Sequence, residues 1–101
     1  MTSAVTGVTE LLTAKHRDPV MDEGLHEHTW AITAFYPATP LRDGRALKVG
    51  LRDLLDHLPG TDGVLPWWSG EEIAQHVAEL LDGCIGCRVT RPEGFEAVVW
   101  L

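Results

Sequence analysis

EHTWAITAFY, residues 27–36, alternates His28, Trp30, Ile32, Ala34 and Tyr36 with Thr29, Ala31, Thr33 and Phe35. This period of two sends successive side chains to opposite faces of a strand. Both sets are largely apolar, so both faces of the sheet holding this strand seek cover. Upstream, AVTGVTELLTAKH (4–16) mixes Val, Thr and Leu with no helical period and reads as a second strand, weakened at its start by Gly7. Downstream, PATPLRDGR (37–45) carries two prolines and an Asp-Gly pair, the composition of a loop between unlike elements.

Helical spacing takes over beyond that loop. In LKVGLRDLLDHL (47–58), Leu47, Leu51, Leu54, Leu55 and Leu58 form one apolar stripe, and the helix stops near Pro59-Gly60. Ser69 and Glu72 have the spacing of a capping box, with Trp68 and Ile73 as a hydrophobic staple around it. The helix that follows is expected to bury Ile73, Val77, Leu80 and Leu81 and to stop at Gly83. CIGCRVT and GFEAVVWL then read as two short strands joined across Arg91-Pro92-Glu93-Gly94. The order is ββααββ, an α+β chain with a four-stranded antiparallel sheet and two helices on one face. Two one-sided helices cover only one sheet face, and the last strand is apolar on both sides, so subunit association through the sheet is expected.

The chain has 101 residues, 45% of them hydrophobic, which fits one domain spanning 1–101. Fifteen acidic residues against eight basic ones leave a net charge of −7, a poor match for phosphate backbones, so nucleic acid is not an expected partner. No apolar run reaches the roughly 20 residues that span a bilayer, and MTSAVTGVTELL has no basic leader. The composition suggests a cytoplasmic protein with no membrane partner.

Five histidines stand out in so short a chain. His26 and His28 alternate at the entrance to a strand and project from one face, and a hairpin-like link over 17–25 would bring His16 beside them. Three histidines with an open position make a catalytic zinc site, whereas a lone His-x-His also suits two hydrogen-bonded surface residues. Asp56 adjoins His57 off the leucine stripe, either as an exposed residue or as a partner that fixes the imidazole for proton transfer. His76 reads as a boundary residue, and Cys84 and Cys87 as two buried or half-buried thiols rather than a redox or metal pair. Trp67 is free to line a pocket or an interface.

Taken together, KHR (15–17), LHEHTW (25–30), LKVGLRDLLDHL (47–58) and SGEEIAQHVAELL (69–81) resemble, in order, elements of the 6-pyruvoyl-tetrahydropterin synthase and 6-carboxytetrahydropterin synthase family. The resemblance covers essentially residues 5–101. It implies a T-fold subunit whose sheets join around a ring into a barrel, as trimers or paired trimers, with sites between subunits. It also implies Zn2+ on His16, His26 and His28, a relay of Asp56 and His57, and Glu71 and Trp67 among the residues that meet the substrate.

The departures from the family are specific. Asp22, followed by Glu23, stands where the family has its cysteine, so a carboxylate replaces the thiolate as base. Arg91, in VTRP, stands where the family's pterin-anchoring glutamate is expected; guanidinium offers only donors and suits an anionic or carbonyl group. The expected activity is therefore zinc-dependent lyase-type chemistry (elimination, aldol cleavage, isomerisation or ring closure) on a small oxygenated substrate that is not a standard pterin. The alternatives are a true tetrahydropterin synthase with Glu93 or Glu96 as the ring anchor, and a non-catalytic oligomeric binding protein that keeps zinc.

Overall fold

The computed structural model describes residues 4–18, 23–67 and 69–101, and of Asp18 and Glu23 the backbone only. Its order is β1 (Val5–Asp18), β2 (Glu23–Pro37), α1 (Gly44–His57), α2 (Gly70–Leu80), β3 (Gly86–Thr90) and β4 (Glu96–Trp100). The four strands form one antiparallel sheet in the order β1-β2-β3-β4, with both helices against one face. The expected α+β architecture is present. No helix among the described residues is long and apolar enough to cross a membrane.

The strands are of unequal length, and that asymmetry positions the site. β1 and β2 have 14 and 15 residues, against five each in β3 and β4. At about 3.3 Å per residue the β1–β2 hairpin is comparable in length to the molecule's 45 Å long dimension. β3 pairs only with Ala31–Phe35 of β2, so the hairpin end carrying His16, His26 and His28 extends past the four-stranded region. The hairpin is longer than the expected 4–16 and 27–36 because pairing continues to Asp18↔Glu23, with a register shift between His16 and Asp18. Two features cover the outer edge of β1. Arg52 Nη1 donates to the Leu11 carbonyl (2.6 Å), and the loop after α1 bonds both ways with Lys15: Lys15 N to Gly63 O at 3.0 Å, and Leu65 N to Lys15 O at 2.8 Å. Blocking an edge in this way suppresses unwanted strand pairing.

The inward face is the core. Leu12 and Ala14 of β1, Trp30, Ile32 and Ala34 of β2, and Cys87 and Val89 of β3 meet Leu51 and Leu55 of α1 and Ile73 and Val77 of α2. α1 lies over β1, and α2 lies over β3 and β4. α1 begins at Gly44 rather than 47 because Asp43 is its N-cap, its carboxylate accepting from Arg45 N at 2.9 Å. The Asp-Gly pair, expected within the loop over 37–45, is thus the start of a helix. α2 buries Ile73, Ala74, Val77 and Ala78, while Leu80, expected inside, is 58% exposed. The small residues set this rotation by letting α2 lie close to the sheet. A Cβ on Gly70 would already touch Ala97 and Val89. Ser69 Oγ accepts from Glu72 N (3.1 Å) and bonds to Glu72 Oε1 (3.3 Å), so the capping spacing is used. Trp68, the expected staple residue, lies outside the described residues. Gly83 (φ +78°) ends the α2 region as expected.

The outward face is mixed rather than apolar throughout. Thr9 bonds Thr33 (2.7 Å) and Thr13 bonds Thr29 (2.8 Å), and Leu11, Val98 and Trp100 remain exposed. Phe35 stacks on Trp100 (5.0 Å) in a row that also contains Gly7 and Gly86, where a Cβ would crowd the rings. Phe95 and Leu101, on the opposite parity of β4, are exposed because they lie beyond its ends.

Candidate metal centre

The hairpin register brings the three histidines together. His16 pairs directly with His26, and His28 stands two residues further along the same face, opposite Ala14. One ligand nitrogen from each of the three lies within 4.8 Å of the others. Ring centroids are 4.5 Å (His16–His26), 5.0 Å (His16–His28) and 4.6 Å (His26–His28) apart. His16 is buried, at 2% exposure, and the other two are half-buried. Trp30, 1% exposed, sets its ring edge-on to His16 (5.1 Å) and His28 (5.6 Å) and joins the cluster to the core.

Two of the imidazoles have partners among the described residues that fix their rings. His26 Nδ1 donates to Gly24 O at 2.7 Å, which leaves Nε2 of that ring as the ligand nitrogen. Glu93 Oε1 is 3.9 Å from His28 Nδ1, and Arg91 Nη1 donates to His28 Nε2 at 3.3 Å. Arg91 Nε also donates to Glu93 Oε2 (3.2 Å), and the guanidinium lies 4.9 Å over the Phe95 ring. The β3–β4 turn supplies the whole group: Gly94 (φ +99°) closes on the Arg91 carbonyl at 3.0 Å, and Arg91 N meets Phe95 O at 2.9 Å. Glu93's carboxyl is held below its ordinary value, first by a hydrogen bond from its own backbone N–H, then by Arg91's bond and charge and by His28. Desolvation opposes this shift and is second in size only to the backbone hydrogen bond.

The remaining site candidates stand apart from this group or outside the described residues. Asp22 is not among the described residues, and Glu23 is placed by its backbone alone, at the start of β2. Asp56 does not orient His57. Its carboxylate takes Arg52, Nε at 3.0 Å and Nη2 at 2.9 Å, while His57 Nδ1 donates to Asp53 O at 2.7 Å. The i,i+4 positions of a helix face each other and adjacent ones do not, which explains the exchange of partners. His57's pKa is raised, first by that carbonyl bond and then by the Asp53 charge, with Asp56 the smallest contributor. Glu71 is exposed in the first turn of α2, and Trp67 stacks on His76 (4.2 Å, 12° between planes). His76 is therefore a packing residue at the core boundary. Cys84 and Cys87 are buried free thiols as expected; Cys84 Sγ donates to Gly86 O, and burial pushes the Cys87 thiol up to about 12.

Sequence reading named Glu93 only as an alternative ring anchor and did not pair it with His28. The available signal was the Arg91-x-Glu93 spacing across a turn. Gly24's carbonyl and Trp30's packing depend on backbone geometry that residue types do not announce. No family model, no curated protein and no solved structure matches the chain.

Proposed function

We propose that the chain is a zinc-dependent, lyase-type enzyme resembling the 6-pyruvoyl-tetrahydropterin synthases, acting on a small oxygenated substrate. The observation that carries this reading is the convergence of His16, His26 and His28 on one hairpin face, with their ligand nitrogens within 4.8 Å. The donor set fits zinc: three imidazoles, with the tautomer of one set by Gly24 O. When bound, zinc supplies a Lewis acid for a substrate oxygen.

The chain's own residues divide the remaining work. Asp22 or Glu23 takes a proton from the adjacent C–H, and Arg91 holds an anionic group beside His28. His57, exposed at the end of α1, supplies or accepts the second proton across a subunit boundary. The proposal thus includes a cytoplasmic homo-oligomer, a trimer or paired trimers of T-fold subunits, whose barrel would cover exposed Leu11, Val98 and Trp100. A second reading, a non-catalytic zinc-containing binding protein, is favoured by one observation: Asp56 is engaged by Arg52 and leaves His57 to Asp53.

Metal analysis of the purified chain tests the site. One zinc per chain, lost in His26→Ala, is expected, and absence of zinc in carefully prepared protein overturns it. His57→Gln separates the two readings: unchanged cellular function, together with no turnover of the wild-type chain across a broad substrate screen, favours the binding protein.

A further inference from the structure

Arg91 occupies one of the two nitrogens that His28 can offer a metal ion. His28 Nε2 has one lone pair, and Arg91 Nη1 donates to it at 3.3 Å. Nδ1, which therefore carries the ring proton, faces Glu93 Oε1 at 3.9 Å. A metal–imidazole bond of about 2.1 Å uses the same lone pair, so the ion and Arg91 exclude each other at Nε2. Arg91 is not free to swing away once displaced. Glu93 holds its Nε at 3.2 Å, the Phe95 ring lies under its guanidinium at 4.9 Å, and its side chain is only 23% exposed.

We infer that Arg91 is a latch: it holds His28 Nε2, and when a metal takes that nitrogen its Nη1 is released beside the ion to bind a small monoanionic carboxylate bearing an adjacent hydroxyl or carbonyl oxygen. This inference rests on the metal reading above. The planar guanidinium matches a carboxylate better than a point charge does. Glu93 neutralises the guanidinium, so the surplus positive charge of the site comes from the ion alone, and the repulsive field of a chain of net charge −7 acts twice as strongly on a phosphate dianion as on a monoanion. Metal and carboxylate binding are then coupled through one side chain, with the metal entering first.

The test uses the full chain, zinc with a competing chromophoric chelator, and the visible spectrum of the cobalt-loaded protein titrated with glycolate or with uncharged ethylene glycol. Glycolate is expected to shift the cobalt bands saturably, and ethylene glycol to leave them unchanged at the same concentration. Arg91→Met removes the competitor and should tighten zinc about two- to tenfold, the worth of one ordinary hydrogen bond. The same variant should weaken glycolate about ten- to a hundredfold, the worth of a charge-assisted one. Arg91→Lys, which keeps the charge without the fork, should fall between the two; circular dichroism checks that each variant folds. Glycolate binding unaffected by Arg91→Met, or zinc binding weakened as much as by His26→Ala, overturns the latch while leaving the metal site standing. Failure of the wild-type chain to take up zinc overturns the metal reading and the latch with it.

Discussion

Zinc should act as a cross-link on the overhanging hairpin, and the size of that effect follows from where the ligands sit. His16 is on β1, and His26 and His28 are on β2, in a stretch where β2 has left its β3 partner behind. The backbone there is bonded to β1 alone among the described strands, the kind of segment that opens locally at low cost. An ion that binds only the folded arrangement stabilises it by about 2.7 kcal/mol at a free concentration 100 times its dissociation constant. For a chain of about 100 residues, 1 kcal/mol corresponds to roughly 4–8 °C in Tm, so zinc should raise Tm by about 11–22 °C over the EDTA-treated protein. His26→Ala should abolish the shift.

Amide exchange supplies the sharper readout. Zinc should slow exchange most around His16 and over the stretch of β2 from Gly24 to Trp30. β3 and β4, which are tied to the sheet without the ion, should slow only as far as global stability rises. An equal Tm shift in His26→Ala, or protection spread evenly over both ends of the sheet, would refute the cross-link.

Several other outcomes follow from the same geometry. His57 titrates above its ordinary value through Asp53, so Asp53→Asn should lower its pKa in an NMR titration and Asp56→Asn should barely move it. Because the folded-state value is the raised one, any stability linked to His57 is complete below the unfolded value of 6.5 and is lost as pH rises through the folded value. Leu55→Ala, at a fully buried site between α1 and the sheet, should cost about 2–5 kcal/mol in denaturant unfolding. Cys87, its thiol pushed up to about 12, should resist iodoacetamide at pH 8 in the native chain and react once denatured. Gly86→Ala should destabilise the chain measurably by thermal melting, because the new Cβ would collide with the Trp100 ring and the Val99 carbonyl. Melting at the wild-type temperature would show that Trp100 swings aside at no cost.

What the sequence made legible was whatever local periodicity encodes. The alternation through Trp30–Tyr36, the Leu51 and Leu55 stripe, the Ser69 cap and the Arg91–Gly94 turn all appear where residue pattern puts them. His-x-His on one face of a strand also belongs to this class, and the partner His16 followed from the short link between the strands. Competition between neighbours was not legible. Asp43 can open a turn or cap a helix, and only the docking of α1 decides which. Leu80 loses its place inside to Ala74 and Ala78 because close approach of a helix to a sheet favours small side chains over a larger apolar one. Asp56 had two cationic neighbours, and helix geometry gave it to Arg52 rather than His57. Arg91's meeting with His28, 63 residues away in sequence, is a tertiary fact.

The candidate centre and the hydrophobic core share one face of one hairpin, and this explains how so small a chain can hold three imidazoles in place. Every second residue of β1 and β2 points inward. Along this row Leu12, Ala14, Trp30 and Ile32 are apolar and lie in the core, and then the row changes to His16, His26 and His28 where the hairpin extends past β3. Trp30 stands at the change and touches two of the imidazoles edge-on. The backbone geometry that packs the core therefore also aims the ligands, so that the backbone entropy lost in forming the hairpin serves both. The cost is that the outer two imidazoles are only half-buried: His26 leans on the Gly24 carbonyl of its own strand, and His28 takes its support from across the sheet. The β3–β4 turn reaches back to provide it through Glu93 and Arg91. Site and fold are thus coupled at two points: loss of Trp30 packing would loosen the imidazoles from below, and loss of the turn would leave His28 without its flanking pair.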